Sequence, residues 1–226
     1  LVFKDMGLVS QVFNEAALES LEGHIAVGHT RYSTTGASHW KNAQPTLGRT
    51  AYGTVALGHN GNLTNTRELT KELADKDRRH LNTTSDTELL VNVLASELQS
   101  AQSQTAFTPD IAFEAVSAVH RRVEGSYAAI AVIAGHGILA FRDPFGIRPL
   151  ILGRRQAGLV GDEWIVASES LVLEASGYEI VRDVEPGEAL FISRDGTLHQ
   201  KQCAENPQLF PCAFEYVYLA RPDSVI

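Results

Sequence analysis

The stretch Thr54-Val55-Ala56-Leu57-Gly58-His59-Asn60-Gly61-Asn62-Leu63 sets the reading of this chain. It opens as a short apolar run of β-strand character. The His-Asn-Gly-Asn that follows reads as turn chemistry, because Gly61 tolerates positive φ and Asn does so better than most residues. A buried strand that carries an Asn amide and a Gly backbone N–H to its rim holds two hydrogen-bond donors in fixed positions. Such a pair suits a developing oxyanion in acyl transfer. Taken alone, these ten residues favour an ordinary strand-to-helix turn, and the segments on either side change that balance.

Upstream, Leu1 to Lys4 reads as a strand closed by Gly7. Asn14 is placed to cap a short helix carrying Ala16, Ala17, Leu18 and Leu21, with Gly23 at its end. Ile25 to Thr30 reads as a second strand. Residues 36–48 show no apolar periodicity and read as a long loop of the kind that forms lids. Downstream, Asn65 with Glu68 suits a capping box for a helix bearing Leu69 and Leu73. Ser85-Asp86-Thr87-Glu88 is a cleaner capping box, opening a helix with Leu89, Leu90, Val93, Leu94 and Leu98. Pro109 sits as a first helical residue before Ile111, Ala112, Ala115, Val116 and Val119.

After residue 125 the pattern changes to strands and turns. Strands are expected at 128–134, 138–141, 150–152, 164–166, 179–181 and 189–192. Asp143-Pro144-Phe145-Gly146, Pro186-Gly187 and Asp195-Gly196 read as turns, and Ser168 as the cap of a short helix. Helices early and hairpin-linked strands late argue for an α+β fold with mainly antiparallel sheets. No Gly-rich dinucleotide fingerprint or phosphate loop is present.

Composition sets the outer bounds. The 226 residues are 44% hydrophobic and 20% charged, a globular balance. A net charge of -8 argues against nucleic acid as a partner. No apolar run reaches membrane-spanning length, so no membrane is expected. Two cysteines, Cys203 and Cys212, make no disulfide framework and fit a reducing compartment, hence the cytoplasm. The first residue is Leu1, without an initiator Met or a signal peptide, and both ends read as cut.

Arg31 with Thr34, Asn60 with Gly61, and Asp86 each stand at the end of an apolar run. Each has a plain structural role open to it: a surface ion pair for Arg31, the helix macrodipole for Asp86. His29 and His59 read as satisfied core histidines. Together the polar groups suit one ligand. A guanidinium binds a carboxylate bidentately, a carboxylate binds an ammonium, and an amide with a backbone N–H binds an oxyanion. That inventory fits an α-amino acid attacked at its side-chain carbonyl.

Gly28-His29-Thr30-Arg31-Tyr32-Ser33-Thr34, His59-Asn60-Gly61-Asn62-Leu63 and Thr84-Ser85-Asp86-Thr87-Glu88 resemble three internal motifs of the class II glutamine amidotransferases, the N-terminal-nucleophile glutaminases. Phe141 to Leu150, Val184 to Glu188 and Phe214 to Ser224 resemble the branch of that group that opens purine biosynthesis by delivering ammonia to phosphoribosylpyrophosphate. The resemblance covers the whole chain. It implies a four-layer α-β-β-α sandwich of two stacked, mainly antiparallel sheets, here with a first strand missing. An open strand edge there would favour dimerisation, and a homo-oligomer is expected.

The resemblance also implies roles. Arg31 and Thr34 would hold the α-carboxylate of glutamine, and Asp86 its α-ammonium. Asn60 and the Gly61 N–H would form the oxyanion hole, and residues 32–42 would close over the substrate. The family's nucleophile is an N-terminal cysteine whose α-amino group, with a reference pKa of about 7.7–8.0, serves as general base. Residue 1 here is Leu, so residues 1–226 are read as an N-terminally truncated amidotransferase domain that does not hydrolyse glutamine by itself. Residues 212–226 would begin the connection to an absent phosphoribosyltransferase domain, and Mg2+ would belong to that domain. No cofactor or metal is expected in this one, although the cysteine equivalent to Cys212 helps hold an iron–sulfur cluster in some members. A small buried residue is the preferred reading of Cys212. The alternatives are another class II amidotransferase, which the runs at 141–150 and 214–224 disfavour, and a non-catalytic binding domain of the same fold.

Overall fold

A computed structural model describes residues 1–31, 39–100, 106–157, 161–219 and 223–224. Two short helices, α1 (Val9–Val12) and α2 (Glu15–Glu19), come first, and the Asn14 side chain caps α2 by accepting the Ala17 N–H at 2.9 Å. After a 3-10 turn at Trp40–Asn42 the chain forms β1 (Thr46–Thr50) and β2 (Gly53–Leu63). Three helices follow: α3 (Thr66–Asp75), α4 (Asp86–Ser100) and α5 (Pro109–Arg122). The rest is largely β: β3 (Gly125–Ile133), β4 (Gly137–Arg142), β5 (Ile151–Gln156), β6 (Asp162–Ala167), β7 (Glu179–Asp183), β8 (Glu188–Ser193) and β9 (Leu198–Gln202). Helix α6 (Ser170–Ala175) separates β6 from β7, and a π-helical turn covers Glu215–Leu219.

The strands form two sheets, antiparallel at every pairing. One has the order β1-β2-β3-β4-β8-β9 and the other β6-β5-β7. Ala128, Ala140 and Leu190 of the larger sheet pack with Leu150, Leu152 and Val184 beside the smaller one, so the sheets are stacked. Leu57, Leu63, Tyr127, Phe141 and Phe191 pack from the opposite face of the larger sheet onto α3, α4 and α5. On the far side of the smaller sheet α6 lies so close that a Cβ on Gly153 would meet Leu173 at 2.5 Å. The result is the four-layer α-β-β-α sandwich. Helix α4 is buried on nearly all sides, as Leu90, Val91, Val93 and Leu94 show, because it sits between α3, α5 and the first two strands.

Several expectations need correction. Leu1–Lys4 and Ile25–Thr30 are not strands; neither has a ladder partner among the described residues. Lys4 instead donates its Nζ to the Ala43 carbonyl at 2.8 Å. Within the long loop expected at 36–48, β1 begins at Thr46; it is set by pairing with β2 and by a close approach of Gly48 to Val91 of α4. The strand β9 has no counterpart in the sequence reading. Asn65 does not cap α3: its side chain bridges the Arg122 carbonyl and the Glu124 N–H. Glu169, not Ser168, stands at the start of α6. Among the described residues no helix is long and apolar enough to cross a membrane.

Candidate active site

The expected turn at His59–Asn62 does not exist: β2 runs unbroken through it to Leu63, in regular register with β3. Gly61 is required there by packing. Its φ is +139°, and a Cβ would lie 2.0 Å from the Ser126 carbonyl oxygen of β3.

The two edges of β2 differ. Beyond Leu57, which pairs with Thr46, β1 no longer covers the strand. Backbone N–H groups alternate sides along a strand, so those of His59, Gly61 and Leu63 all point to this uncovered edge. The first is taken by a side chain: Gln44 Oε1 accepts the His59 N–H at 2.6 Å. The third is taken by Asp86 Oδ2, which accepts the Leu63 N–H at 3.2 Å. The Gly61 N–H lies between them, with the Asn60 side chain on the adjoining face.

Asp86 is the first residue of α4, held there by an elaborated form of the expected capping box. Ser85 Oγ accepts the Thr87 N–H at 3.3 Å. Glu88 does not reach back to Ser85; its carboxylate accepts the N–H groups of Asn82 at 2.8 Å and Thr83 at 2.6 Å, pinning the incoming loop. Burial opposes ionisation of Asp86, yet His59 beside it and the N–H groups of Leu63 and Thr87 hold its carboxyl below the usual carboxylate range. His59 Nε2 lies 3.7 Å from Asp86 Oδ2, and its Nδ1 lies 3.1 Å from Thr87 Oγ1. The core reading of His59 is therefore incomplete: it is buried but faces the acid.

His29 is half-buried and packs over Gly58. Its Nε2 contacts the His59 carbonyl at 3.2 Å; a carbonyl only accepts, so Nε2 carries the proton. Burial and the neighbouring His59 lower its pKa, and the Asn60 side chain is within hydrogen-bonding reach. Two residues on, Arg31 Nη1 donates to the Asn42 carbonyl at 3.1 Å. Gln44, His59 and Asp86 thus form one continuous set of contacts along the uncovered edge of β2, and the Arg31–Asn42 bond joins it through the chain two residues before Gln44. Thr34, and residues 32–38 of the expected lid, lie outside the described residues. Gln44 went unnoticed in the sequence; its one signal is an amide directly before Pro45, at the entry to a strand.

The two thiols are both free. Cys203 is buried, its pKa raised by that burial, and it lines a separate cavity of about 560 Å³ with Ser117 and His120. Cys212 is half-buried rather than core. No group of three or more His, Cys, Asp or Glu side chains among the described residues is placed to hold a metal ion, so any cluster on Cys212 would need ligands from beyond them.

Residues 29–175, which take in this uncovered edge and both sheets up to α6, match the glutamine amidotransferase domain family, and the chain belongs to it. Its relatives are more particular. The chain is 49% identical over 223 residues to amidophosphoribosyltransferase of Escherichia coli, and 46% identical over 234 residues to that of Schizosaccharomyces pombe. Each alignment takes in 99% of this chain but only 44% and 43% of the relative. Among solved structures it resembles the glutamine phosphoribosylpyrophosphate amidotransferase of B. subtilis, determined with ADP and GMP. The TM-score is 0.79 and the identity 32%, over 97% of this chain and 44% of that one. The chain therefore spans under half the length of these relatives.

Proposed function

We propose that residues 1–226 are the glutamine-hydrolysing part of an amidophosphoribosyltransferase. In this reading glutamine and water give glutamate and ammonia, and the ammonia displaces pyrophosphate from phosphoribosylpyrophosphate to form phosphoribosylamine, the first step of purine biosynthesis. The second reaction would belong to a further domain of the kind its relatives have room for, and Mg2+ would belong to that domain. The whole protein would be a cytoplasmic homo-oligomer.

The observation that carries the proposal is the Gly61 N–H at the uncovered edge of β2, between two N–H groups already engaged by Gln44 and Asp86. A thiolate attacking the side-chain amide places negative charge on its oxygen, and the Gly61 N–H with the Asn60 amide would receive that charge. Asp86, held ionised, would take the α-ammonium, and Arg31 with Thr34 the α-carboxylate. The attacking thiolate would be an N-terminal cysteine, which residues 1–226 do not include.

The test uses the full-length protein with glutamine and phosphoribosylpyrophosphate. Glutamate and pyrophosphate should appear together, and Asn60→Ala should suppress glutamate release. Glutamate release that is absent in the wild type, or indifferent to Asn60→Ala, would defeat the reading.

A further inference from the structure

We propose that Gln44 is a positioning residue for the oxyanion end of this site, acting through the backbone of β2; the inference rests on the glutamine-hydrolysis reading above. β1 stops covering β2 at the Thr46–Leu57 pair, and in the same register the next position whose backbone would face β2 is residue 44, opposite His59. The Gln44 side chain takes over. A primary amide offers a donor and an acceptor side by side, as a peptide group does. Oε1 accepts the His59 N–H at 2.6 Å, and Nε2 donates to the His59 carbonyl at 3.3 Å. Those atoms belong to the two peptide planes directly before the Asn60–Gly61 plane, whose N–H faces the same edge.

The clamp is itself anchored. Gln44 Oε1 packs over Gly58, 3.5 Å from where a Cβ would stand, an ordinary contact distance. The His59 carbonyl also accepts His29 Nε2. Immediately before Gln44, the Ala43 carbonyl accepts Lys4 Nζ and the Asn42 carbonyl accepts Arg31 Nη1. One short segment therefore ties the guanidinium at one end of the site to the donor N–H at the other. Loss of the Gln44 bonds would free the outer side of β2 where a displacement of about 1 Å costs of order 100-fold in rate.

The experiment measures glutamate release by the full-length protein carrying Gln44→Met, Gln44→Glu, Asn60→Ala and the Gln44→Met/Asn60→Ala pair. Methionine keeps the shape and removes both bonds; glutamate keeps the acceptor for the His59 N–H. We expect Gln44→Met to lower kcat about 10- to 100-fold with KM within about threefold, and Gln44→Glu to lose less. Because both changes act on the same oxyanion, the double variant should be little worse than Asn60→Ala alone. A residue that only braces the fold would multiply the two losses. Multiplied losses, a defect confined to KM, or wild-type kcat in Gln44→Met would each overturn the assignment. If Gln44→Met fails to fold, Gln44→Glu paired with Asn60→Ala carries the same comparison. A wild-type kcat in Asn60→Ala would sink the functional reading together with this one, whereas a defective Asn60→Ala beside a normal Gln44→Met sinks the positioning role alone.

Discussion

The carboxylate of Asp86 accepts the backbone N–H of Leu63 at 3.2 Å, so the first residue of α4 grips β2 two residues beyond Gly61. Gln44 grips the same edge two residues before it. The glycine between them is hemmed in on its other side by β3. Gly61→Ala should therefore cost about 2–4 kcal/mol, from a positive φ and from a Cβ driven to 2.0 Å from the Ser126 oxygen. Urea unfolding measures it. A loss of only a few tenths of a kcal/mol would show that β3 gives way there.

How far this arrangement was legible follows from which forces are local. The helices α3, α4 and α5 were, because apolar periodicity, the first-turn proline of α5 and the Ser85 cap of α4 lie within the segments themselves, although the cap expected of Asn65 on α3 did not form. Antiparallel pairing followed from the late run of hairpins, whereas the stacking of two sheets came only from the family resemblance. The course of β2 through His59–Asn62 was not legible. Its turn-like residues stay extended because Gln44, Asp86 and β3, each remote in sequence, satisfy their backbone groups. The reverse error fell on Ile25–Thr30, apolar enough for a strand but without a ladder partner among the described residues. Arg31, Asn60, Gly61 and Asp86 were picked out by residue type; that Gln44 joins them depends on a contact across 15 residues that no local pattern marks.

His120 offers a test of the core beneath the second half. Its Nε2 donates to the Gly187 carbonyl at 3.2 Å and its Nδ1 lies 2.8 Å from the Tyr127 hydroxyl. Burial lowers its pKa to about 4 from an ordinary 6.5. The unfolded chain thus takes up this proton more readily than the folded one. The stability it contributes is complete above pH 6.5 and is lost as pH falls toward about 4, a change of up to about 3 kcal/mol. Urea midpoints between pH 4 and 7 should fall less steeply in His120→Gln than in wild type. Parallel curves for the two proteins would contradict this.

The half-buried Arg148 pairs with the buried carboxylate of Glu215 and fastens the π-helical turn at Glu215–Leu219 to the body of the domain. Burial raises the Glu215 carboxyl, and the Arg148 guanidinium opposes that rise. Arg148→Met leaves the carboxylate buried without its cation and should cost about 3 kcal/mol at pH 7. The variant's Glu215 would take up a proton at higher pH than in the unfolded chain. Its deficit should therefore be largest at neutral pH and shrink as pH falls through the raised pKa toward the ordinary carboxylate range. A deficit independent of pH would assign the cost to lost packing.

Asp86 and Asn60 distinguish recognition from catalysis, and full-length enzyme is the setting. If Asp86 holds the α-ammonium, it faces a charge that does not change during the reaction, so its contribution is uniform binding and appears in KM. A hydrogen bond to a charged group is worth about 1.5–3 kcal/mol, so Asp86→Asn should raise KM for glutamine roughly 10- to 150-fold with a smaller loss of kcat. The asparagine oxygen can still accept the Leu63 N–H, which keeps the grip on β2 and makes this substitution cleaner than alanine. Asn60 would face an oxygen that becomes negative only as the thiolate attacks. Asn60→Ala should lower kcat about 100- to 1,000-fold with little change in KM. Arg31 is a poorer probe, because it borders the segment expected to close over the substrate and ties itself to Asn42. Steady-state kinetics of glutamate release decide the matter: one shared pattern for Asp86→Asn and Asn60→Ala would break the division of roles even if both residues proved indispensable.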